Sequence, residues 1–263
     1  MSVRDFLFFA CKTVFFALLW SAPLLASGQS GAVSRPVEAQ LLLTLANQTR
    51  AEHNEDRLQW DASLAKAALE HCLRMAAEGP IAHQYQGEPD LTARTAAAGA
   101  HFSLIEENVA MGPSAEGIHD SWMHSPPHRK NLLASEIDRV GIAVVASGGT
   151  LYAVADYARG VAQLDAAQVE ARIAAQMVAR GLRARGTDAA RAACAMASGL
   201  PPSNGAMPGF VMRWQGPDPS QLPESLVKRM ASGGYHRAEV GSCPAQDAAK
   251  TFTLYRVAVL LYD

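Results

Sequence analysis

The chain has 263 residues, 49% of them apolar and 18% charged, which is globular composition long enough to bury a sizeable core. Twenty-three basic residues against 25 acidic ones leave a net charge of −2, so no basic field for nucleic acid is built. Four cysteines are too few for a disulfide-dense miniature scaffold.

Residues 1–28 read as an export signal. Arg4 and Lys12 flank an apolar run that reaches Leu24-Leu25, and the small residues Ala26, Ser27 and Gly28 set a cleavage point before Gln29. Pro23 interrupts the run, which is shorter than the roughly 20 residues of a spanning helix. The alternative is an uncleaved anchor. After cleavage the chain keeps Cys72, Cys194 and Cys243, has no stable membrane span, and is secreted, periplasmic or extracellular.

From Pro36 the pattern is helical, with Leu41, Leu42 and Leu45 on one face, and it stops near Asn54. Asn47-Gln48-Thr49 fits the glycosylation pattern but lies inside this helix, so Asn47 and Arg50 read instead as polar ties to neighbouring elements, with Trp60 as core. A second helix is capped at Asp61 or Ser63, carries Leu64, Ala68, Cys72 and Met75 on a buried stripe, and ends at Gly79-Pro80. A short alanine-rich helix runs from Asp90 to Gly99, and another from Ser114 to His124 ends where Ser125-Pro126-Pro127 breaks it. Val140, Ile142 and Val144 alternate, Gly148-Gly149 turns, and Tyr152 and Val154 continue the alternation as a β-hairpin. A first domain over 37–160 follows, of α+β class.

Residues 161–263 form a second, small α+β domain of unknown function. Helices are expected over Asp165–Arg185 and Thr187–Ser198, a Pro- and Gly-rich loop over Gly199–Gly209, a helix over Pro223–Ala231, and strands at Phe210–Trp214, Tyr235–Val240 and Phe252–Tyr262. In an oxidising compartment a Cys194–Cys243 bridge would close a loop of about 50 residues, a stabilisation of about 3 to 4 kcal/mol. Two buried thiols are the alternative.

Seven of the eight histidines lie in the first domain. His53 and His71 sit on helices whose exposed faces accept them. His83 stands in a polar loop, and His128 follows the rigid Ser125-Pro126-Pro127 turn. Between them Glu106-Glu107-Asn108 places carboxylates in an apolar strand from Leu104 to Ala110, where burial demands partners. Two imidazoles and a carboxylate satisfy one another, and they could also hold zinc or another divalent cation.

At these residues the chain resembles a known family. Asn47-x-x-Arg50, Leu58-Gln59-Trp60-Asp61 with Leu64, His83, Glu106-Glu107-Asn108-Val109-Ala110 and Trp122-Met123-x-Ser125-Pro126-Pro127-His128-Arg129-x-Asn131 follow in order. They resemble the CAP superfamily of cysteine-rich secretory proteins, antigen 5 and pathogenesis-related proteins, in its bacterial form. The resemblance implies an α-β-α sandwich with a surface cleft holding two histidines, matched by His83 and His128, and a glutamate, matched by Glu107. Glu106 stands where the family usually has glycine, adding charge to the cleft mouth, and Ser125 falls near the place of a second cleft glutamate. The implied cleft is His83, Glu106, Glu107, Asn108, Ser125 and His128, with His83, His128 and Glu107 as its candidate metal ligands.

Three functions follow from this. The first is a non-catalytic binding protein whose partner is a lipid, a small apolar ligand or a cell-envelope or extracellular macromolecule. The second is a hydrolase in which a metal on His83, His128 and Glu107 activates water, with Glu107 as its catalytic residue. No H-E-x-x-H element or nucleophile elbow accompanies it, and Cys72 is a poor nucleophile on its buried stripe. The third is a passive domain in which the cleft residues only satisfy one another.

Overall fold

The computed structural model describes residues 32–200, 205–245 and 251–263. The expected export signal over residues 1–28, and part of the loop expected over Gly199–Gly209, lie outside them. Among the described residues no helix is long and apolar enough to cross a membrane.

Side-chain caps set where the helices begin. Pro36 opens α1 (Pro36–Glu52), and β1 (Val33–Ser34) precedes it. Asp61 accepts from Ser63 N at 2.8 Å and Leu64 N at 3.0 Å to start α2 (Ala62–Glu78), just after β2 (Gln59–Trp60). Asp90 caps α3 (Leu91–Ala97), and Ser114 caps α4 (Ala115–His124). Pro126 does more than break α4. It lacks only an N–H that a first turn leaves unpaired anyway, so it opens a further helix, α5 (Pro126–Leu132), on which His128 sits.

The strands β3 (Phe102–Gly112), β4 (Arg139–Ser147) and β5 (Thr150–Gly160) form a sheet in the order β1-β4-β5-β3. β4 and β5 are the expected hairpin, and β2 runs parallel to β4 beside β1. Strand alternation divides the side chains between two faces. On one, Leu64, Ala68, Cys72 and Met75 of α2 cover Val109, Ala143, Val145, Val154 and Ala158. On the other, Leu42 and Ala46 of α1 and Ile118 and Trp122 of α4 cover Ala110, Ile142, Val144, Ala155 and Tyr157. The result is the α-β-α sandwich. Each fully buried Leu, Ile or Met contributes about 1.5–3 kcal/mol.

Asn47 and Arg50 tie α1 down as expected. Asn47 accepts from Leu58 N at 2.7 Å and donates to Leu58 O at 3.1 Å. The buried Arg50 guanidinium donates to the carbonyls of Asp56, Leu132 and Ala134. Trp60 is a correction: on the short edge strand β2 it is 37% exposed and lies outside the core.

After β5 a second sheet follows, built from β6 (Arg183–Gly186), β7 (Phe210–Gly216), β8 (Arg237–Cys243) and β9 (Tyr255–Tyr262) in the order β6-β8-β9-β7. Helices α6 (Ala166–Val178) and α8 (Glu224–Ala231) cover one face and α7 (Asp188–Ala195) the other. The long helix expected over Asp165–Arg185 ends at Val178, because Gly181 turns the chain at φ 89 and the next residues pair with β8. Cys194 and Cys243 are bridged, linking α7 to the end of β8. Gly31–Asp263 form one compact unit. The segment before β9 is tied to the first sheet, with Phe252 edge-on to Phe102 at 5.5 Å and Thr253 N donating to Phe102 O at 2.8 Å.

Candidate functional site

β3 is an edge strand of the first sheet, and its residues divide the expected cleft set. Glu107 points to the α2 face, whereas Glu106 and Asn108 point to the other. The Glu107 side chain is 2% exposed, and a buried carboxylate needs donors. It has them on both oxygens. His83 Nδ1 donates to Oε1 at 2.7 Å, from a ring still 60% exposed. Arg94 on α3, itself 6% exposed, donates from one terminal nitrogen to Oε2 and from the other to the His83 carbonyl at 3.3 Å. Hydrogen bonding to Glu107 raises the His83 pKa against the opposing effect of burial.

His71 joins this network, and that is a second correction. It was expected on an exposed helix face, yet it is fully buried on α2, with Nδ1 2.7 Å from Glu88 Oε1, Nε2 3.0 Å from Ala82 O, and Nε2 3.9 Å from Glu107 Oε2. Both ring nitrogens therefore face acceptors. Asp156 pairs with Glu107 across β3 and β5 and is fully buried, and among the described residues neither of its oxygens has a hydrogen-bond partner. Burial, and then the neighbouring Glu107 charge, push its carboxyl well above the usual carboxylate range.

His128 reaches the site from α5. Asn108 Nδ2 donates to His128 O at 2.9 Å, and Asn131 Nδ2 donates to Glu107 O and to Asn108 Oδ1, each at 3.1 Å. These bonds lash α5 to β3. The His128 pKa is lowered by burial and then by the neighbouring His83 charge, so the two imidazoles are shifted in opposite directions. Ser125 stands at the junction of α4 and α5, and its side chain makes no cap bond. Glu106 faces a cavity of about 390 Å³ with Lys130, Asn131 and Arg159, on the opposite side of the strand from Glu107.

The expected metal set does not fit this arrangement. An arginine holds one Glu107 oxygen and His83 the other, so a cation ligated by Glu107 would compete with one of these bonds. Among the described residues no group of three His, Cys, Asp or Glu side chains is placed to hold an ion. Cys72 is no nucleophile either, since burial pushes its thiol up to about 12.

Arg94, His71, Glu88 and Asp156 were missed at the level of sequence. Asp156 carried the same signal as Glu107, a carboxylate inside an apolar strand, here Val154-Ala155-Asp156-Tyr157-Ala158. Arg94 sits in an alanine-rich helix with no pattern to mark it.

Residues 43–157 match the CAP family model, described as the cysteine-rich secretory protein family. The chain is similar to a Bacillus subtilis protein described as the uncharacterized membrane protein YlbC, 30% identical over 107 residues, which are 39% of this chain and 30% of that protein. An uncharacterized protein of Borreliella burgdorferi is 24% identical over 104 residues, 40% of this chain and 66% of that one. The chain thus spans less than two thirds of either relative. Among solved structures, an outer surface protein of Borrelia burgdorferi is 19% identical, with a TM-score of 0.46 over 49% of this chain and 97% of that one. An extracellular SCP-domain protein of Bacillus anthracis is 26% identical, with a TM-score of 0.42 over 47% of this chain and 41% of that one. With the ordered motifs knit together around Glu107, residues 43–157 belong to the cysteine-rich secretory protein family, and the chain carries a bacterial CAP domain followed by a second sheet-containing region.

Proposed function

We propose that this is an exported, non-catalytic binding protein whose CAP domain takes an apolar ligand with an anionic head, such as a lipid. The observation that carries the reading is Glu107. A buried carboxylate that accepts from His83 on one oxygen and from the buried Arg94 on the other is already used as a structural acceptor, which favours binding over base or metal chemistry at this residue. What remains available at the surface is the half-exposed His83 ring beside His128.

α4, α5 and the residues after them line a groove of about 560 Å³ with Met123, Pro126, Leu133 and Ala134 as its apolar wall and Arg129 and Lys130 among its lining. That pairing of apolar surface with cations suits a hydrocarbon chain with an acidic end. Export is supported by the apolar N-terminal stretch with its small-residue cleavage point and by the Cys194–Cys243 bridge, which an oxidising compartment maintains.

One assay separates binding from hydrolysis. The chain is incubated with dodecanoate and with its nitrophenyl ester. We expect dodecanoate binding that weakens about tenfold in Leu133→Asp, and nitrophenolate release equal in the native chain and in Glu107→Gln. Release that Glu107→Gln abolishes would establish the hydrolase instead.

A further inference from the structure

We infer that the outer edge of the second sheet is a docking site for an extended acidic peptide. β6 ends the sheet order β6-β8-β9-β7, and among the described residues no strand pairs with its outer side. Arg183 N donates inward to His236 O at 3.0 Å, and Thr187 N donates to Val240 O at 3.1 Å. In a parallel ladder alternate residues bond to the same neighbour, so Arg183, Arg185 and Thr187 bond inward and the Ala184 N–H and C=O are offered to an incoming strand.

The side chains around that edge state what such a strand must carry. Arg180, Arg183 and Arg185 are exposed and carry no ion pair among the described residues. Arg237 lies beside Arg183 across the β6–β8 pair, bonded to Glu239 at 2.8 Å with its guanidinium 3.9 Å from the Tyr262 ring centre. This concentration of cations stands on a chain whose net charge is −2. Two copies of the chain would repel one another at this edge, whereas an acidic strand is complementary to it.

Alternation completes the specification. Arg183 and Arg185 point to the α7 face, while Ala184 points to the α6 face, where it packs with the core under α6. A cavity of about 490 Å³ lies along the edge, with Val178, Leu182 and Ala184 as its apolar wall and Arg183, Arg185 and Arg237 as its charged wall. Val178 is 55% exposed. A peptide with acidic residues at every second position and aliphatic ones between them places its carboxylates on the arginines and its aliphatic groups in the cavity.

The test uses the full oxidised chain and a fluorescent octapeptide of alternating glutamate and valine. The peptide binds, and Arg183→Glu/Arg185→Glu weakens it about tenfold or more, with Arg183→Ala/Arg185→Ala weakening it in the same direction. N-methylation of the valines, which removes ladder donors and leaves the charge, also weakens it about tenfold. Equal affinity for the methylated peptide overturns the inference. So does absence of peptide binding, or binding to phosphatidylglycerol vesicles in its place, which would make the edge an anionic-surface contact.

Discussion

Asp156 is a fully buried carboxyl that pairs across the strands with Glu107. Its native carboxyl is shifted upward by burial and by Glu107, so the folded protein holds a proton that the unfolded chain releases near pH 4. The sign follows directly: this residue opposes folding increasingly as pH rises above the unfolded value, until the native pKa is passed. Asp156→Asn keeps the shape and cannot ionise. Thermal unfolding from pH 3 to pH 8 should therefore show the variant gaining on the native chain as pH rises, and a pH-independent difference would contradict the assignment. At this scale the sequence was partly legible. The carboxylate-in-a-strand signal found Glu107, and applied evenly it marks Asp156 as well. Arg94 and His71 were not legible, because their partners lie 13 residues away on β3 and 17 residues away at Glu88 in the loop before α3, and His71 looked like any polar residue on a helix whose burial only the tertiary fold decides.

Helices and strands were legible wherever one face is apolar and a cap is present. Asp61, Asp90 and Ser114 mark their helices in the sequence and cap them in the structure. Boundaries failed where pairing overrode local preference, as when Arg183–Gly186 joined β8 instead of extending α6. One contact between elements is decided by a missing side chain. At Gly141 on β4 a Cβ would stand 2.0 Å from Ala65 N, because α2 lies directly on the strand, and Gly241 on β8 meets Ala190 and Arg191 of α7 in the same way. α2 carries His71, so this close approach also sets the depth of the site. Gly141→Ala should cost about 3 kcal/mol in urea unfolding and weaken the His71 contacts, whereas full native stability would show that α2 can lift without penalty.

On the scale of the whole molecule, the recognisable domain and the following region share one compact unit, with Phe252 and Thr253 bringing the approach to β9 back onto Phe102 of β3. No sequence motif announced that contact, since it joins residues 150 apart that are ordinary in isolation. The Cys194–Cys243 bridge was legible from the expected export, which supplies an oxidant, and from these two being the only cysteines of the second region. Cys194→Ser/Cys243→Ser should lower unfolding free energy by about 3 to 4 kcal/mol, and an unchanged urea midpoint would show the second sheet to be stable without it. The proposed binding role depends on Glu107 being a held acceptor that leaves the cleft to bind, not to hydrolyse. Its most direct test is an NMR titration of the His83 ring in chelator, on the native chain and on Glu107→Gln. We expect a native His83 pKa above the ordinary 6.5 that falls in the variant. A value at or below 6.5 that Glu107→Gln leaves unchanged would contradict it.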